Sequence, residues 1–220
     1  MKKMLSLLAI AATLVTLSFT TAPVVHNGYH VGDIARDFKL KNVNGKEVSL
    51  AGIKKAKGYI VVFTCNHCPY AVAYEDRIIA LHKKYAKLGY PVVAINPNDK
   101  DVQPDDSFDN MKKRAKEKKF PFVYLYDETQ EIAKAYGATR TPHVYLLDKD
   151  RKVRYIGAID DNHEEPESVK EKYLENAIES LRAGKDVATA ETKAIGCTIK
   201  WRKSGDAKPN MAKPDSGVKQ

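Results

Sequence analysis

The feature that most constrains the fold is an apolar run at residues 59–64, which leads through Cys65-x-x-Cys68 into a helical pattern beginning at Pro69. A continuous β-branched and aromatic run is typical of a central strand buried on both faces, and proline is favoured in a first helical turn. Side chains between a strand and a helix lie near the helix N-terminus. Unpaired N–H groups and the helix dipole favour an anion there and lower the pKa of a cysteine thiol. The pattern therefore predicts a site for thiol-disulfide chemistry.

Strand-like and helix-like runs alternate along the rest of the chain. Asn44-Gly45 separates two short strand-like runs, which predicts an N-terminal β-hairpin. Helical spacing after Pro69 predicts a helix that ends at Gly89. The other predicted elements are strands at 91–96 and 122–126, helices at 107–118, 129–136 and 169–181, and a hairpin of strands 143–147 and 153–159. This order predicts an α/β fold with a central mixed β-sheet flanked by helices and an N-terminal β-hairpin extension.

The N-terminus has the pattern of a secretory signal peptide. Lys2 and Lys3 precede an uncharged apolar run at 4–19, and small residues follow at 20–22. We therefore predict a signal peptide at residues 1–22 and a periplasmic or secreted protein, exported in the bacterial manner. Once the signal is cleaved, no membrane association is expected. The alternative is an uncleaved anchor, since the apolar stretch is just long enough to span a bilayer.

Basic residues are in excess, with a formal net charge of +9. The segment 112–119 has six basic residues and one acidic residue, and four aspartates between residues 101 and 109 precede it. Acids before a helix and bases at its end match the helix dipole. No aromatic residues lie between these basic residues, so the segment lacks the pattern of a surface that stacks on nucleotide bases. We therefore expect no nucleic-acid partner.

Three cysteines are an odd number for an exported chain, because one pair leaves a third thiol. A structural disulfide framework more often uses an even number, so the count favours reactive chemistry. The third cysteine, Cys197, lies near Ile199 and Trp201 in an otherwise polar region. It is either a resolving thiol that docks against the domain or a buried bystander.

These residues together resemble the thioredoxin superfamily, and within it the redoxins of the alkyl hydroperoxide reductase/thiol-specific antioxidant, or peroxiredoxin-like, type. The resemblance covers about residues 30–202. It implies a thioredoxin-like redoxin domain at 30–183, followed by a C-terminal extension at 184–220 that contains Cys197 and ends in a basic tail, which we expect to be disordered. The residues that carry it are Asp37-Phe38, Gly45-Lys46, Cys65-Asn66-His67-Cys68-Pro69-Tyr70, Thr141-Pro142 and Gly196-Cys197.

The resemblance leaves two candidates for the nucleophile. In one reading Cys65 attacks, Cys68 resolves, and His67 stabilises the Cys65 thiolate. In the other, thioredoxins place the attacking cysteine five positions after the strand phenylalanine, and counting from Phe63 gives Cys68, with Cys65 or Cys197 resolving. The helix-start position favours Cys68. A static structural disulfide between Cys65 and Cys68 is a further alternative.

Thr141-Pro142 resembles the cis-proline of the superfamily. That proline packs beside the active disulfide and allows the preceding backbone to pair with a substrate peptide. An X-Pro bond is the ordinary place for a cis peptide. With His67, these two residues are the predicted substrate-binding residues.

The function that the resemblance implies is an exported thiol-disulfide oxidoreductase acting through a Cys-x-x-Cys site at a helix N-terminus. Its catalytic residues are Cys68, Cys65 and Cys197. The sequence carries no flavin, nicotinamide or haem signature, so we predict no cofactor. The predicted partners are protein thiols or disulfides, or peroxide, and an external thiol reductant or oxidant protein.

Two other functions remain open. The first is a peroxiredoxin-like thiol peroxidase, an antioxidant enzyme. That family surrounds its cysteine with Pro-x-x-x-Thr-x-x-Cys, whereas this chain has Val61 and Cys65 at the proline and threonine positions before Cys68. Arg140 is a candidate for the cation that binds peroxide.

The second is a copper- or zinc-binding chaperone that uses Cys65, His67, Cys68 and His143, because thiolates with imidazole suit Cu(I) or Zn. In the main interpretation we predict no metal site. The acidic residues at 160–165 are predicted to form a solvated loop.

Overall fold

The computed structural model describes residues 28–203, so the predicted signal peptide at 1–22 and most of the basic tail lie outside the described residues. Strands and helices alternate within this range, as the sequence predicts. The elements are β1 Leu40–Asn42, β2 Glu47–Val48, β3 Gly58–Phe63, α1 Pro69–Tyr85, β4 Val92–Asn96, α2 Phe108–Glu117, β5 Val123–Tyr126, α3 Glu131–Tyr136, β6 Arg140–Thr141, β7 His143–Asp148, β8 Val153–Gly157, α4 Tyr173–Arg182 and β9 Cys197–Thr198.

Seven of the strands form one mixed sheet in the order β2-β1-β5-β4-β3-β7-β8. The pairs β3–β4 and β4–β5 are parallel, and the other neighbours are antiparallel. The predicted hairpin around Asn44-Gly45 is confirmed as β1–β2, and the predicted C-terminal hairpin as β7–β8. The α/β fold with a central mixed sheet and an N-terminal hairpin is therefore confirmed.

Apolar side chains cover both faces of this sheet. Ile60 and Val62 of β3 pack in one core cluster with Ile178 of α4. Val61 and Phe63 belong to a second cluster. Successive side chains of a strand point to opposite faces, so a strand between two cores must be apolar throughout. This explains why all of β3 is buried.

Helix α1 begins where the sequence predicts, and a 3₁₀ turn after it leads to the predicted end at Gly89. Cys68 is its N-cap, with extended φ and ψ of −65° and 122°, and Pro69 is its first residue. After Tyr85 a single 3₁₀ turn leads to Gly89, whose φ of +96° closes the helix. Glycine adopts this left-handed conformation without steric penalty. The consequence is that Cys68 is fixed at the end of a 17-residue helix.

The last helix starts later than the predicted residue 169. Residues Pro166–Ser168 form a 3₁₀ turn, and α4 begins only at Tyr173. The intervening backbone is bonded to the preceding loop, since the Lys170 amide donates to the Asp161 carboxylate (3.0 Å) and the Asp161 amide to the Glu171 carbonyl (3.2 Å). These bonds take the place of a first helical turn.

The prediction of a solvated acidic loop at 160–165 is wrong for Asp160. Its side chain is buried and accepts hydrogen bonds from the Tyr74 hydroxyl (2.7 Å) and from Arg77 Nη1 (2.7 Å). Buried charges are ordinarily paired, and this pair ties the loop to α1. Among residues 28–203, no helix has the length and apolar character needed to cross a membrane.

Candidate active site

Cys68 and Cys197 are joined by a disulfide, although 129 positions separate them in the sequence. Their Cα atoms are 6.0 Å apart. Strand β9 brings Cys197 to this place because it pairs antiparallel with β6, with Cys197 opposite Thr141. The Cys68 sulfur is buried 3.2 Å from the Thr141 carbonyl oxygen. The structure thus pairs Cys68 with Cys197 and not with Cys65.

The peptide bond between Thr141 and Pro142 is cis, as the resemblance predicts. Thr141 is fully buried and lies against all three cysteines, since it also pairs with Cys197 across β6 and β9. Its carbonyl lies against Cys68, and its hydroxyl is 3.3 Å from the Cys65 sulfur. Thr141 therefore links Cys65 and Cys68 to the C-terminal segment that carries Cys197.

Cys65 is a free and buried thiol. Burial is the main reason that its pKa rises to about 12, and the negative charge of Asp106 raises it further. Hydrogen bonds to the sulfur, first among them that from Thr141, act in the opposite direction but are outweighed. A thiol with this pKa is protonated at neutral pH and is a poor nucleophile. While the Cys68–Cys197 bond is closed, Cys65 is therefore an unreactive thiol.

Asp106 organises the loop between the two cysteines of the motif. One carboxylate oxygen accepts bonds from the backbone amides of Asn66 (2.7 Å) and His67 (3.2 Å). The other accepts from the Asn98 side chain (2.6 Å) and faces His67 Nδ1 at 2.5 Å. Sequence reasoning missed this role, because it treated the aspartate only as an acid before a basic helix.

His67 has its Nδ1 directed at Asp106, and the same nitrogen is 3.6 Å from the Cys65 sulfur. An ionised carboxylate can only accept hydrogen bonds, so His67 Nδ1 must carry the proton in this contact. That nitrogen therefore cannot also take a proton from Cys65. The arrangement positions the histidine ring at the edge of the site, where 19% of its side chain is exposed.

One group of three potential metal ligands occurs among residues 28–203, formed by Cys65, His67 and Asp106, with ligand atoms within 4.8 Å of one another. It differs from the set considered from the sequence, because it contains neither Cys68, which is disulfide-bonded, nor His143. His143 is a buried residue of β7, and burial lowers its pKa to about 4.

Arg140 lies against the C-terminal segment, where its Nη1 donates to the Gly196 carbonyl (3.2 Å). The guanidinium is therefore hydrogen-bonded to the residue that precedes Cys197 in the chain. The sequence alone could not place it at the site.

Comparison with known proteins relates the chain to redox enzymes. Residues 31–156 match the AhpC/TSA family. Thiol-disulfide oxidoreductase ResA of Bacillus cereus is 27% identical over 150 residues, covering 64% of this chain and 80% of that protein. Chloroplastic peroxiredoxin Q of Arabidopsis thaliana is 31% identical over 163 residues, covering 69% of this chain and 67% of that protein.

A solved structure with high similarity is that of an uncharacterised conserved protein from Geobacillus kaustophilus. It is 40% identical, with a TM-score of 0.75, and the match covers 81% of this chain and 95% of that one. The matched family, these relatives and the mixed sheet lead to one conclusion: the chain belongs to the AhpC/TSA family of thioredoxin-like redoxins and is an oxidoreductase.

Proposed function

We propose that the protein is a thiol-disulfide oxidoreductase in which Cys68 is the nucleophile and Cys197 is the resolving thiol. The observation that carries this proposal is the bond between Cys68, at the N-cap of α1, and Cys197, 129 positions away. The N-terminus of a helix lowers the pKa of a thiol placed there. Both sulfurs are buried, but Cys65 lies outside the N-cap position, and the negative charge of Asp106 raises its pKa further. These two environments support Cys68 as the attacking group.

The reaction proceeds in two exchange steps. The Cys68 thiolate attacks one sulfur of a substrate disulfide, forms a mixed disulfide and releases the other substrate sulfur as a thiolate. The Cys197 thiolate then attacks the Cys68 sulfur, which forms the Cys68–Cys197 bond and releases the second substrate thiol. The substrate gains two electrons and the protein loses two, which an external dithiol protein restores. Run in reverse, the same steps oxidise a partner dithiol.

The other site residues support these steps. Thr141 and Pro142 hold backbone beside the Cys68 sulfur, where a substrate segment is bound. His67 lies at the edge of the site with part of its side chain exposed. Cys65, three residues before the nucleophile, is kept protonated by burial and takes no part in these two steps.

A thiol peroxidase is the second candidate, favoured by the similarity to peroxiredoxin Q and by Arg140 beside the Cys197 segment. In that reaction the Cys68 thiolate attacks a peroxide oxygen, giving a sulfenic acid and an alcohol or water. Cys197 then condenses with the sulfenic acid, which forms the disulfide and releases water. The absence of the family's proline and threonine, replaced by Val61 and Cys65, makes this reading weaker.

Single Cys→Ser variants of the full chain, assayed for insulin reduction with dithiothreitol as donor, test the main proposal. Cys68→Ser should abolish the protein-dependent rate, and Cys197→Ser should slow turnover and trap a mixed disulfide on Cys68. Cys65→Ser should still form the Cys68–Cys197 bond. Full activity in Cys68→Ser would refute the assignment. Peroxide consumption, measured in parallel, favours the peroxidase if it is faster than insulin reduction.

The proposal also includes export and a three-part organisation: a signal peptide at 1–22, a redoxin domain at 30–183 and an extension at 184–220. The charged and apolar pattern of the N-terminus supports the export of the protein to the periplasm or the exterior. Expression of the full chain in a bacterium, followed by fractionation and N-terminal sequencing, tests it. A mature protein that begins near residue 23 outside the cytoplasm supports export, and an intact N-terminus in the cytoplasm contradicts it.

A further inference from the structure

Residues 196–202, which we call the strap, lie along the edge of β6 beside the nucleophile. Strands β6 and β9 form a two-stranded sheet that is separate from the seven-stranded sheet. In its register Thr141 lies opposite Cys197, and the Thr141 carbonyl is 3.2 Å from the Cys68 sulfur. An extended segment that pairs with β6 in this register therefore delivers a cysteine to Cys68.

The strap occupies an edge of β6 whose backbone groups are able to pair with an extended chain. Without β9, the backbone groups of Arg140 and Thr141 that face it would have no strand partner. Unpaired groups at a strand edge are a template for an added extended peptide. The contacts of the strap thus indicate which peptides this edge accepts.

The position before the cysteine accepts only glycine. A Cβ atom added to Gly196 would lie 2.2 Å from the Thr141 carbonyl oxygen and 2.7 Å from its carbon. Both are rigid backbone atoms in the paired strand, so no rotamer change relieves the clash. A peptide with any side chain at this position must move away from β6.

The second position after the cysteine accepts an aliphatic side chain. Ile199 is only 3% exposed, and it packs in the same core cluster as Phe63. Its amide also donates to the Thr139 carbonyl (3.2 Å). Thr198, between Cys197 and Ile199, is exposed, as expected from the alternation of side chains along a strand. The strap therefore shows the pattern Gly-Cys-x-aliphatic.

The end of the strap is anchored by contacts that do not involve the disulfide. The Lys200 carbonyl accepts from the Asp99 amide and from the Gln130 side chain, both at 2.9 Å. Arg202 Nε donates to the buried Asp99 carboxylate at 2.7 Å. A tethered segment of this kind competes with free ligands at an effective concentration of about millimolar.

We propose that the β6 edge, where the proposed function places the substrate segment, selects extended segments with the pattern Gly-Cys-x-aliphatic, and that the strap is a built-in competitor for it. This inference rests on the proposed function, because the Cys68 thiolate must attack the sulfur of the docked cysteine. In that step a Cys68–peptide disulfide forms and the former partner of the peptide sulfur leaves as a thiolate.

Peptides that copy residues 194–202 test the selectivity. Their cysteine is capped with 5-thio-2-nitrobenzoate, whose release is followed at 412 nm while the Cys68–peptide adduct is confirmed by mass spectrometry. The protein is the full chain with Cys65→Ser and Cys197→Ser, so that Cys68 is its only thiol. The altered peptides carry Gly196→Ala or Ile199→Asp, and the matched control carries Thr198→Asp. Each rate is divided by the rate of the same peptide with glutathione.

We expect the Gly196→Ala and Ile199→Asp peptides to react at least 10-fold more slowly than the parent peptide, and the Thr198→Asp peptide within about twofold of it. Weakening the strap by adding Arg202→Ala to the protein should accelerate the parent peptide several-fold, because its competitor is less firmly held. Replacing Ile199 by Asp in the protein's own strap should also accelerate the parent peptide, because it disrupts the packing of Ile199 in the core cluster.

Equal rates for all four peptides would overturn the docking inference and leave the proposed function standing. A parent rate unchanged by both strap variants would overturn the role of the strap as a competitor. If no peptide forms an adduct with Cys68, it is the proposed function that fails.

Discussion

Replacement of Asp106 by alanine should destabilise the protein, because this buried carboxylate is the common acceptor of four hydrogen-bond donors. Two are the backbone amides of Asn66 and His67, and two are the side chains of His67 and Asn98. The alanine side chain accepts none of these bonds. The donors at Asn98 are sealed from water, whereas those at Asn66 and His67 are half-buried.

The expected loss follows from the number of donors. A buried donor left without a partner costs about 1–3 kcal/mol. Because water can reach part of the loop at Asn66 and His67, we take the low end, about 1 kcal/mol for each donor. Asp106→Ala should therefore lower the free energy of unfolding by about 4 kcal/mol. The measurement is urea denaturation of the oxidised protein, followed by circular dichroism.

Asp105→Ala is the matched control, since this neighbouring aspartate is exposed and makes one long side-chain contact, with Gln103 at 3.4 Å. It should change the stability by less than about 0.5 kcal/mol. A loss below about 1 kcal/mol for Asp106→Ala, similar to the control, would refute the argument that Asp106 holds the loop.

Three further outcomes follow from buried groups. In the oxidised protein at pH 8, Cys65 should react with iodoacetamide about 1,000-fold more slowly than an ordinary cysteine of pKa about 8.5, because its own pKa is about 12; fast labelling seen by mass spectrometry would contradict this. Arg77→Ala should cost about 3–5 kcal/mol in urea denaturation, since it leaves Asp160 buried without its ion pair, whereas Lys149→Ala, which breaks an exposed pair, should have no measurable effect. Burial lowers the pKa of His143 to about 4, so it contributes stability above pH 6.5 that is lost as the pH falls towards 4, by up to about 3 kcal/mol. In His143→Phe this part of the pH dependence should be absent, and an unchanged pH profile would show that the histidine is not its source.

The sequence predicted well those features whose signals are local. The strand at 59–64, the helix after Pro69 and its end at Gly89 each depend on adjacent residues, so hydrophobic periodicity and turn chemistry located them. The cis bond before Pro142 was predicted from the resemblance, through a two-residue motif.

Features that depend on distant residues could not be predicted in the same way. Asp106 reaches His67 across 39 positions, and its only sequence signal was its place before a helix. Cys197 lies in a region of weak periodicity. The sequence therefore does not show whether it bonds to a cysteine of the site or has no disulfide partner. The burial of Asp160 depends on its ion pair with Arg77, a residue 83 positions away that no local pattern connects to the acidic loop.

The separation of the two bonded cysteines couples the redox state of the protein to its thermal stability. A cross-link that closes a loop of 129 residues removes about 5 kcal/mol of chain entropy from the unfolded state. For a chain of this size that difference corresponds to a melting temperature about 10–20 °C higher in the oxidised form. In the proposed function each turnover therefore moves the molecule between a more and a less heat-resistant form, and the melting temperature measures how much of a sample is oxidised. The same thermodynamic cycle requires that folding favour formation of the Cys68–Cys197 disulfide by an equal free energy.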